Sequence, residues 1–545
     1  MSSSLTATST APQGINTISA SSTKITTEPR RIAVIGAGIS GIATAAHLLQ
    51  QNRKHGNPLF DVTIFERSEF VGGVWEYDTR RPIEPGYPND NLDYESARLR
   101  HAPPGPAYKG LRNNVPTSLM HSTLLAWPEG TEDFVGQELI VNYIRDLAEI
   151  TKAKEHLVLG TSVESIWKEE TRESDVNPIF SHATHEFDAV VVASGHYHVP
   201  RVPDIPGLKG YRDAFPETVT HAKGYRTPEQ YIGSTVLIIG SSASSHDISK
   251  ELALEGKTVY VSSRGGQWDI GAPEPAIRVG GIESFEVKRG IIRFRDGNVL
   301  HDIDHVILAT GYLTSYPFLG PRLQNPEVPA EQADDKIVVT RDGLLTHNLH
   351  RDIWYIPDPS LAFVGVVFHT STFSMFDFQG SVVAKVLAGE AELPSKEIMR
   401  AEYIARKAAA FAAAGPAAGN SAAESVTANQ QQQQSLRSFH SLMGRETVYI
   451  DEVLDWVNSE ARRLGLPEMK ALSEKWYRRY DEFREQIKAR RLALAGPPTG
   501  GVVFGPLERA QREQAKGTEL VADNARAEAY KRLESEAGQA VTVAH

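Results

Sequence analysis

Short apolar runs of strand type alternate along this chain with stretches whose apolar residues recur every three or four positions. The run at 32–35 passes into three glycines and a small-residue helical pattern, IATAAHLL, and a second strand pattern follows at 60–65. Leu139, Ile140, Tyr143, Ile144 and Leu147 predict a helix over 136–150, with strands after it at 157–159, 163–168 and 189–193. The order then repeats, with a strand at 236–239, a helix over 247–254 and a strand at 258–261. Residues 306–312 read as the return from this second unit to the first, before a strand at 362–365 and a helix over 375–387. Helical patterns resume at 451–464 and 472–494. Strands alternating with helices predict an α/β fold of two units, the smaller nested in the larger, with C-terminal helices.

The stretch at 36–41, GAGISG, sets Gly36, Gly38 and Gly41 between a strand and a helix, as a dinucleotide-binding turn requires. Gly36 permits a tight turn, Gly38 removes the side chain that would block a pyrophosphate, and Gly41 lets helix and sheet pack closely. Ile39 and Ser40 begin a helix whose positive end faces the phosphates. Glu66 ends the second strand 25 residues after Gly41, placed to accept hydrogen bonds from an adenosine ribose. Gly72 and Gly73, followed by Val74 and Trp75, let the backbone approach a flat ring system. In the second unit Gly240 and Ser241 are followed by Ser242 and Ser245 at the second and third glycine positions. Both are small, and their hydroxyls can donate to a pyrophosphate. Ser262, Ser263 and Arg264 stand where an acid would bind a ribose, which selects NADP over NAD. Two Rossmann-like units imply a flavin and a nicotinamide cofactor, with FAD on 30–212 and 306–400 and NADP on 213–305. His196 and His198 follow the strand end at Ser194 and Gly195, and read as loop histidines beside a cofactor. Asn113 and Asn114 before Val115-Pro116 read, on the residues alone, as turn chemistry.

Composition narrows the partners. A net charge of -11 over 545 residues, with a pI near 5.9, argues against nucleic acid or an acidic membrane surface. The absence of cysteine excludes disulfides, thiolate metal sites and the dithiol chemistry of disulfide reductases, which share a double dinucleotide plan. No apolar run reaches the roughly 18 residues that span a bilayer, so a soluble, cytoplasmic protein is expected. Residues 1–29, rich in Ser and Thr, read as a disordered tail without the apolar core of a secretory signal. The Ala/Gln-rich stretch within 401–440 reads as an insert that need not pack, and 441–545 as a helical region with a polar tail.

These segments together resemble the flavin-containing monooxygenases, and their fungal branch more than the membrane-anchored animal one. The resemblance covers about residues 30–395 and part of the C-terminal helices, through GAGISG, Glu66, GGVW, LRNNVP, ASGH, FPETVTHAKGY, GSSASS with Arg264, LATGY and FDFQ. Phe215, His221 and Tyr225 match the family fingerprint between the two units, while Glu217 replaces its glycine. Tyr225 stands where Baeyer-Villiger relatives carry Trp, which favours oxygenation of a heteroatom over that of a ketone. The resemblance implies cofactor contacts from Val163, Thr310, Gly311 and Gln379 besides the residues above. It makes Asn114 the catalytic amide, with Asn113 standing where the family has Thr. The implied chemistry uses NADPH, FAD and dioxygen to oxygenate an amine or sulfur of a small molecule through a C4a-hydroperoxyflavin. Alternatives are an uncoupled oxidase making peroxide, Baeyer-Villiger-type oxygenation of a ketone, and a non-catalytic flavin-binding protein. The resemblance implies a substrate pocket built from 80–110 and 313–360, and leaves the oligomeric state open, a homodimer included.

Overall fold

A computed structural model describes residues 3–8, 28–56, 58–92, 102–168, 182–233, 235–265, 268–413 and 435–494. Most of the expected tail, the Gln run and the polar C-terminus lie outside them. In chain order the first unit runs β1 (Ser3–Thr8), β2 (Arg30–Ile35), α1 (Ile39–His55), β3 (Phe60–Phe65), α2 (Gln137–Ile150), β4 (Leu157–Val158), β5 (Ser162–Lys168), β6 (His182–Phe187) and β7 (Ala189–Val192). The second contains β8 (Val199–Pro200), α3 (Leu208–Ala214), β9 (Val219–His221), β10 (Thr235–Ile239), α4 (Ala243–Leu254), β11 (Thr258–Ser262), β12 (Ile277–Val279), β13 (Ile282–Glu286), β14 (Ile291–Phe294), β15 (Val299–Leu300) and β16 (His305–Leu308). The chain returns through β17 (Tyr312–Leu313), β18 (Gln324–Asn325), β19 (Val339–Thr340), β20 (Leu349–His350), β21 (Trp354–Tyr355) and β22 (Leu361–Phe363). It ends in α5 (Thr372–Leu387), α6 (Lys396–Ala413), α7 (Glu446–Leu464) and α8 (Glu474–Leu494).

The larger sheet has seven strands in the order β20-β21-β22-β7-β2-β3-β4, parallel from β22 to β4. The middle of the five parallel strands, β2, places Ile32, Ala33 and Val34 at 0% exposure, as a parallel strand covered on both faces requires. On one face α1 packs against α5 so closely that a Cβ at Gly380 would lie 2.9 Å from Thr44 Cα. Each fully buried Ile or Leu of this core contributes about 1.5–3 kcal/mol. The smaller sheet has five parallel strands in the order β12-β11-β10-β16-β9.

Three expected boundaries change. β16 lies between β10 and β9, so the run 306–308 completes the second unit, and only the residues after it return to the first. Its apolar pattern shows burial but not which sheet buries it. Ser3–Thr8, expected within a disordered tail, pairs antiparallel with β5 and β6. Its Thr residues alternate with Leu5 and Ala7, a pattern that favours an extended strand. The expected insert begins later than 401, because α6 continues to Ala413. Alanine favours helix, and Tyr403 is buried beside Phe439 while Arg406 reaches Asp352 at 2.7 Å. Among the described residues no helix is long and apolar enough to cross a membrane.

Candidate active site

The strand ends of both sheets open onto one cavity of 3620 Å³. In the first turn Gly36 adopts a φ of +107°, and a Cβ there would meet Ala193 O at 2.6 Å. Gly38 caps α1 and lies against Gly73, whose own Cβ would come within 2.9 Å of Gly38 Cα. The Gly72 N–H donates to Ala37 O at 3.1 Å, so the two glycine segments form one wall. Ile39, Ser40, Gly73, Val74 and Trp75 line the cavity beside them, with Trp75 edge-on to Phe373 at 6.4 Å. Gly41 stands behind this wall, where a Cβ would be 1.8 Å from Gly36 O. Its role is the close packing expected of it.

Glu66 is buried, and its two oxygens accept from the Ala37 and Ser68 N–H groups at 2.8 Å each. The carboxylate braces the turn while lining the cavity. Val163, Ser194 and Gly195 form the adjoining wall. His198 is held between Ser194 O at 2.6 Å and Arg67 at 2.8 Å. Burial pushes His196 down to about 4 and His198 well below its ordinary value, leaving neutral rings. Among the described residues no group of three or more His, Cys, Asp or Glu could hold a metal ion.

The second turn repeats the first. Gly240 has a φ of +116°, with Ala309 O 2.3 Å from where its Cβ would be. Ser241 and Ser242 line the cavity, and the Ser241 hydroxyl donates to Ser263 Oγ at 2.9 Å. Arg264 is exposed on the same wall, and Thr310 and Gly311 join it from beyond β16. The Tyr225 hydroxyl donates to Glu251 at 2.6 Å within the second unit, while the His221 N–H donates to Glu84 at 3.1 Å and the Lys223 ammonium to His198 O at 2.8 Å, so the fingerprint segment ties the two units together. Glu217 is exposed and absent from the residues with positive φ, so its position does not require glycine.

The asparagine pair divides its tasks. Asn113 is buried, donating to Val115 O at 2.7 Å and Asp133 O at 2.8 Å and accepting from Val135 N–H at 2.6 Å. That leaves Asn114 exposed to the cavity. Two expected contacts are corrected. Gln379 is fully buried away from the cavity, its amide spent on Gly365 N–H at 3.1 Å and the Tyr449 hydroxyl at 2.8 Å. Ser245 is also buried off the wall, because α4 starts at Ala243, four residues before the predicted helix, and turns Ser245 inward.

The sequence reading misses one wall altogether. Tyr480, Phe483, Arg484, Ile487 and Lys488 of α8 line the cavity at helical spacing. Their periodicity was legible, but mixed charge reads as a solvent face. Glu446, at the start of α7, lines it too, accepting from Ser371 N–H at 2.8 Å. The donor set fits two dinucleotides: two tight glycine turns on the cavity wall, an acid behind the first turn and hydroxyls with a guanidinium behind the second.

Comparisons with known proteins agree with this arrangement. The chain matches the family described as flavin-binding monooxygenase-like over residues 29–273 and 279–427. It is 35% identical over 523 residues to the flavin-containing monooxygenase ustF2 of Aspergillus flavus, covering 84% of this chain and 98% of that protein. The flavin-containing monooxygenase ustF1 of the same fungus is 33% identical over 471 residues, covering 84% and 91%. The structure of S-allyl-L-cysteine S-oxygenase from Allium sativum superposes with a TM-score of 0.62 at 26% identity, covering 90% of this chain and 98% of that one. The chain therefore belongs to the flavin-binding monooxygenase-like family, flavin-dependent monooxygenases that use FAD and NADPH.

Proposed function

We propose that this enzyme oxygenates a soft nitrogen or sulfur of a small molecule at the expense of NADPH and dioxygen. The observation that carries the reading is the single cavity shared by both glycine turns, since two cofactors that exchange hydride need one enclosed chamber. FAD, when bound, supplies reduction by NADPH and activation of dioxygen. This chain's residues bind, orient and shield. Gly36, Gly38 and Glu66 hold the adenosine diphosphate part of FAD, with Trp75, Ser194 and Gly195 flanking it. Ser241, Ser242 and Arg264 hold the phosphates of NADPH, and Thr310 and Gly311 lie where the two units meet. Asn114 presents an amide that donates a hydrogen bond without releasing a proton. The His196 ring on the same wall is neutral near pH 7, pushed down to about 4 by burial. An amine or thioether attacks as a nucleophile in its own right and needs no general base.

Tyr225 supports heteroatom chemistry over ketone oxygenation, and the similarity to the S-allyl-L-cysteine S-oxygenase of Allium sativum supports sulfur as one acceptor. The uncoupled-oxidase alternative rests on the two departures from the family pattern, Glu217 and Asn113. Exposure of Glu217 and the three hydrogen bonds of Asn113 favour the coupled reading instead. The test is turnover of the FAD-loaded enzyme with NADPH, isotopically labelled dioxygen and a panel of thioethers and tertiary amines. Labelled sulfoxide or N-oxide matching NADPH consumption is expected, and Asn114→Ala should shift the balance several-fold toward peroxide. Peroxide equal to NADPH consumed, with no labelled product across the panel, would overturn the proposal.

A further inference from the structure

Arg201 follows β8 and is anchored by its backbone, its N–H donating to Gly311 O at 2.8 Å and its carbonyl accepting from the Thr310 hydroxyl. Arg437 lies between α6 and α7, on a segment pinned to the first unit. There His440 Nδ1 is 2.8 Å from Asp352, and Leu442 N–H donates to Phe368 O at 2.9 Å. Arg264 belongs to the second unit. All three guanidiniums line the one cavity, and among the described residues none has an ion-pair partner. Arg201 Nε is moreover buried without a hydrogen-bond partner. Burial, and then the neighbouring guanidinium of Arg264, push Arg201 down to about 10. Burial followed by the charges of Arg201 and Arg264 pushes Arg437 down to about 9. The acids facing the group are Asp90 and Asp342. Asp342 already accepts from the Leu344 and Ala330 N–H groups at 3.0 and 3.1 Å. Like charges gathered without counterions are unfavourable unless an anion joins them.

We infer that Arg201 and Arg437 close with Arg264 around one phosphate monoester dianion, the ribose 2′-phosphate of NADPH, so that the C-terminal segment of the first unit clamps a nucleotide seated on the second. This rests on reading the Gly240 turn as the NADPH site. Guanidinium is the group suited to it, since its planar fork binds phosphate oxygens in pairs. A clamp drawn from both units holds the nucleotide only when the units are apposed.

The test uses the FAD-loaded full-length protein and two probes, adenosine 2′,5′-bisphosphate and AMP, titrated by calorimetry. The natural chain is expected to prefer the bisphosphate, and Arg437→Gln and Arg201→Gln each to lose about tenfold or more of that preference with AMP binding unchanged. An equal loss for both probes, or an undiminished preference, overturns the inference while leaving the NADPH reading intact. Failure of the natural chain to prefer the bisphosphate overturns both. A second readout separates a ligand-binding role from a structural one. Without nucleotide, Arg437→Gln should melt no lower than the natural chain, because a repelling charge has gone, yet NADP+ should raise its Tm by less. A lower melting point without nucleotide, with the NADP+ shift retained, would make Arg437 a packing residue and sink the clamp.

Discussion

The two nucleotide turns of this chain share a plan and differ in tightness. Gly36 and Gly240 both adopt positive φ, and both face a carbonyl, Ala193 O or Ala309 O, that leaves no room for a Cβ. One step along, the turns diverge. In the first, Gly41 is forced, since a Cβ would overlap Gly36 O at 1.8 Å. In the second, Ser245 occupies the matching position with its side chain buried. The first turn is therefore shut down onto its helix and braced by Glu66, while the second leaves space and lines it with hydroxyls and guanidiniums. A tight apolar cradle suits a cofactor that stays, and a looser charged one suits a nucleotide recognised by its phosphates.

Exchanging residues between the turns breaks the comparison most severely at this position. Gly41→Ala should lose about 3 kcal/mol or more of stability, because backbone rather than a flexible side chain must move. The reverse exchange, Ser245→Gly, should cost only about 0.5–1 kcal/mol, the usual penalty of glycine within a helix. Thermal melts with a count of bound FAD would distinguish them, and similar losses would show that the turns are equally tight. A smaller effect is expected one turn earlier. At Gly38 a Cβ would stand 3.5 Å from Gly73 Cα, an ordinary contact. Gly38→Ser should fold and weaken FAD binding about tenfold, roughly 1.4 kcal/mol, by crowding the paired glycine wall. Arg264→Ala sharpens the comparison from the other side, raising the NADPH Kd about tenfold or more and leaving NADH and FAD binding unchanged. Equal weakening of NADPH and NADH would remove Arg264 from the 2′-phosphate.

What the sequence discloses follows the range of the interaction. β3 occupies the predicted residues, and both turns and Glu66 stand where local spacing puts them, because a strand period and a glycine turn are properties of neighbouring residues. β16 reads from sequence as part of the first unit yet completes the sheet of the second, because an apolar run carries no label for the sheet that buries it. Gln379 and Ser245 sit in the expected motifs, but helix phase decides which face they occupy, and α5 and α4 begin three and four residues before the pattern suggested. Arg201 and Arg437 are 236 residues apart and carry no periodic signal. Their meeting is a product of tertiary folding alone.

The smallest expected effect concerns an acid with no counterpart in the second turn. Glu446 accepts hydrogen bonds from the Ser371 backbone at 2.8 Å and the Ser371 hydroxyl at 3.4 Å, at the mouth of α5. Burial outweighs these bonds and pushes its carboxyl up to about 7 from an ordinary 4.5. Between those two values the folded chain holds a proton that the unfolded chain has released, so this group's contribution to stability falls as the pH rises through that window and is level above it. Glu446→Gln keeps an acceptor for the Ser371 N–H and removes the titration. Relative to the natural chain, the variant should therefore gain stability as the pH climbs from 4.5 toward 7, a trend read from paired denaturant melts. Parallel stability curves for the two proteins would mean that Glu446 is already ionised in the fold, and that the first unit tolerates a buried carboxylate beside its cavity.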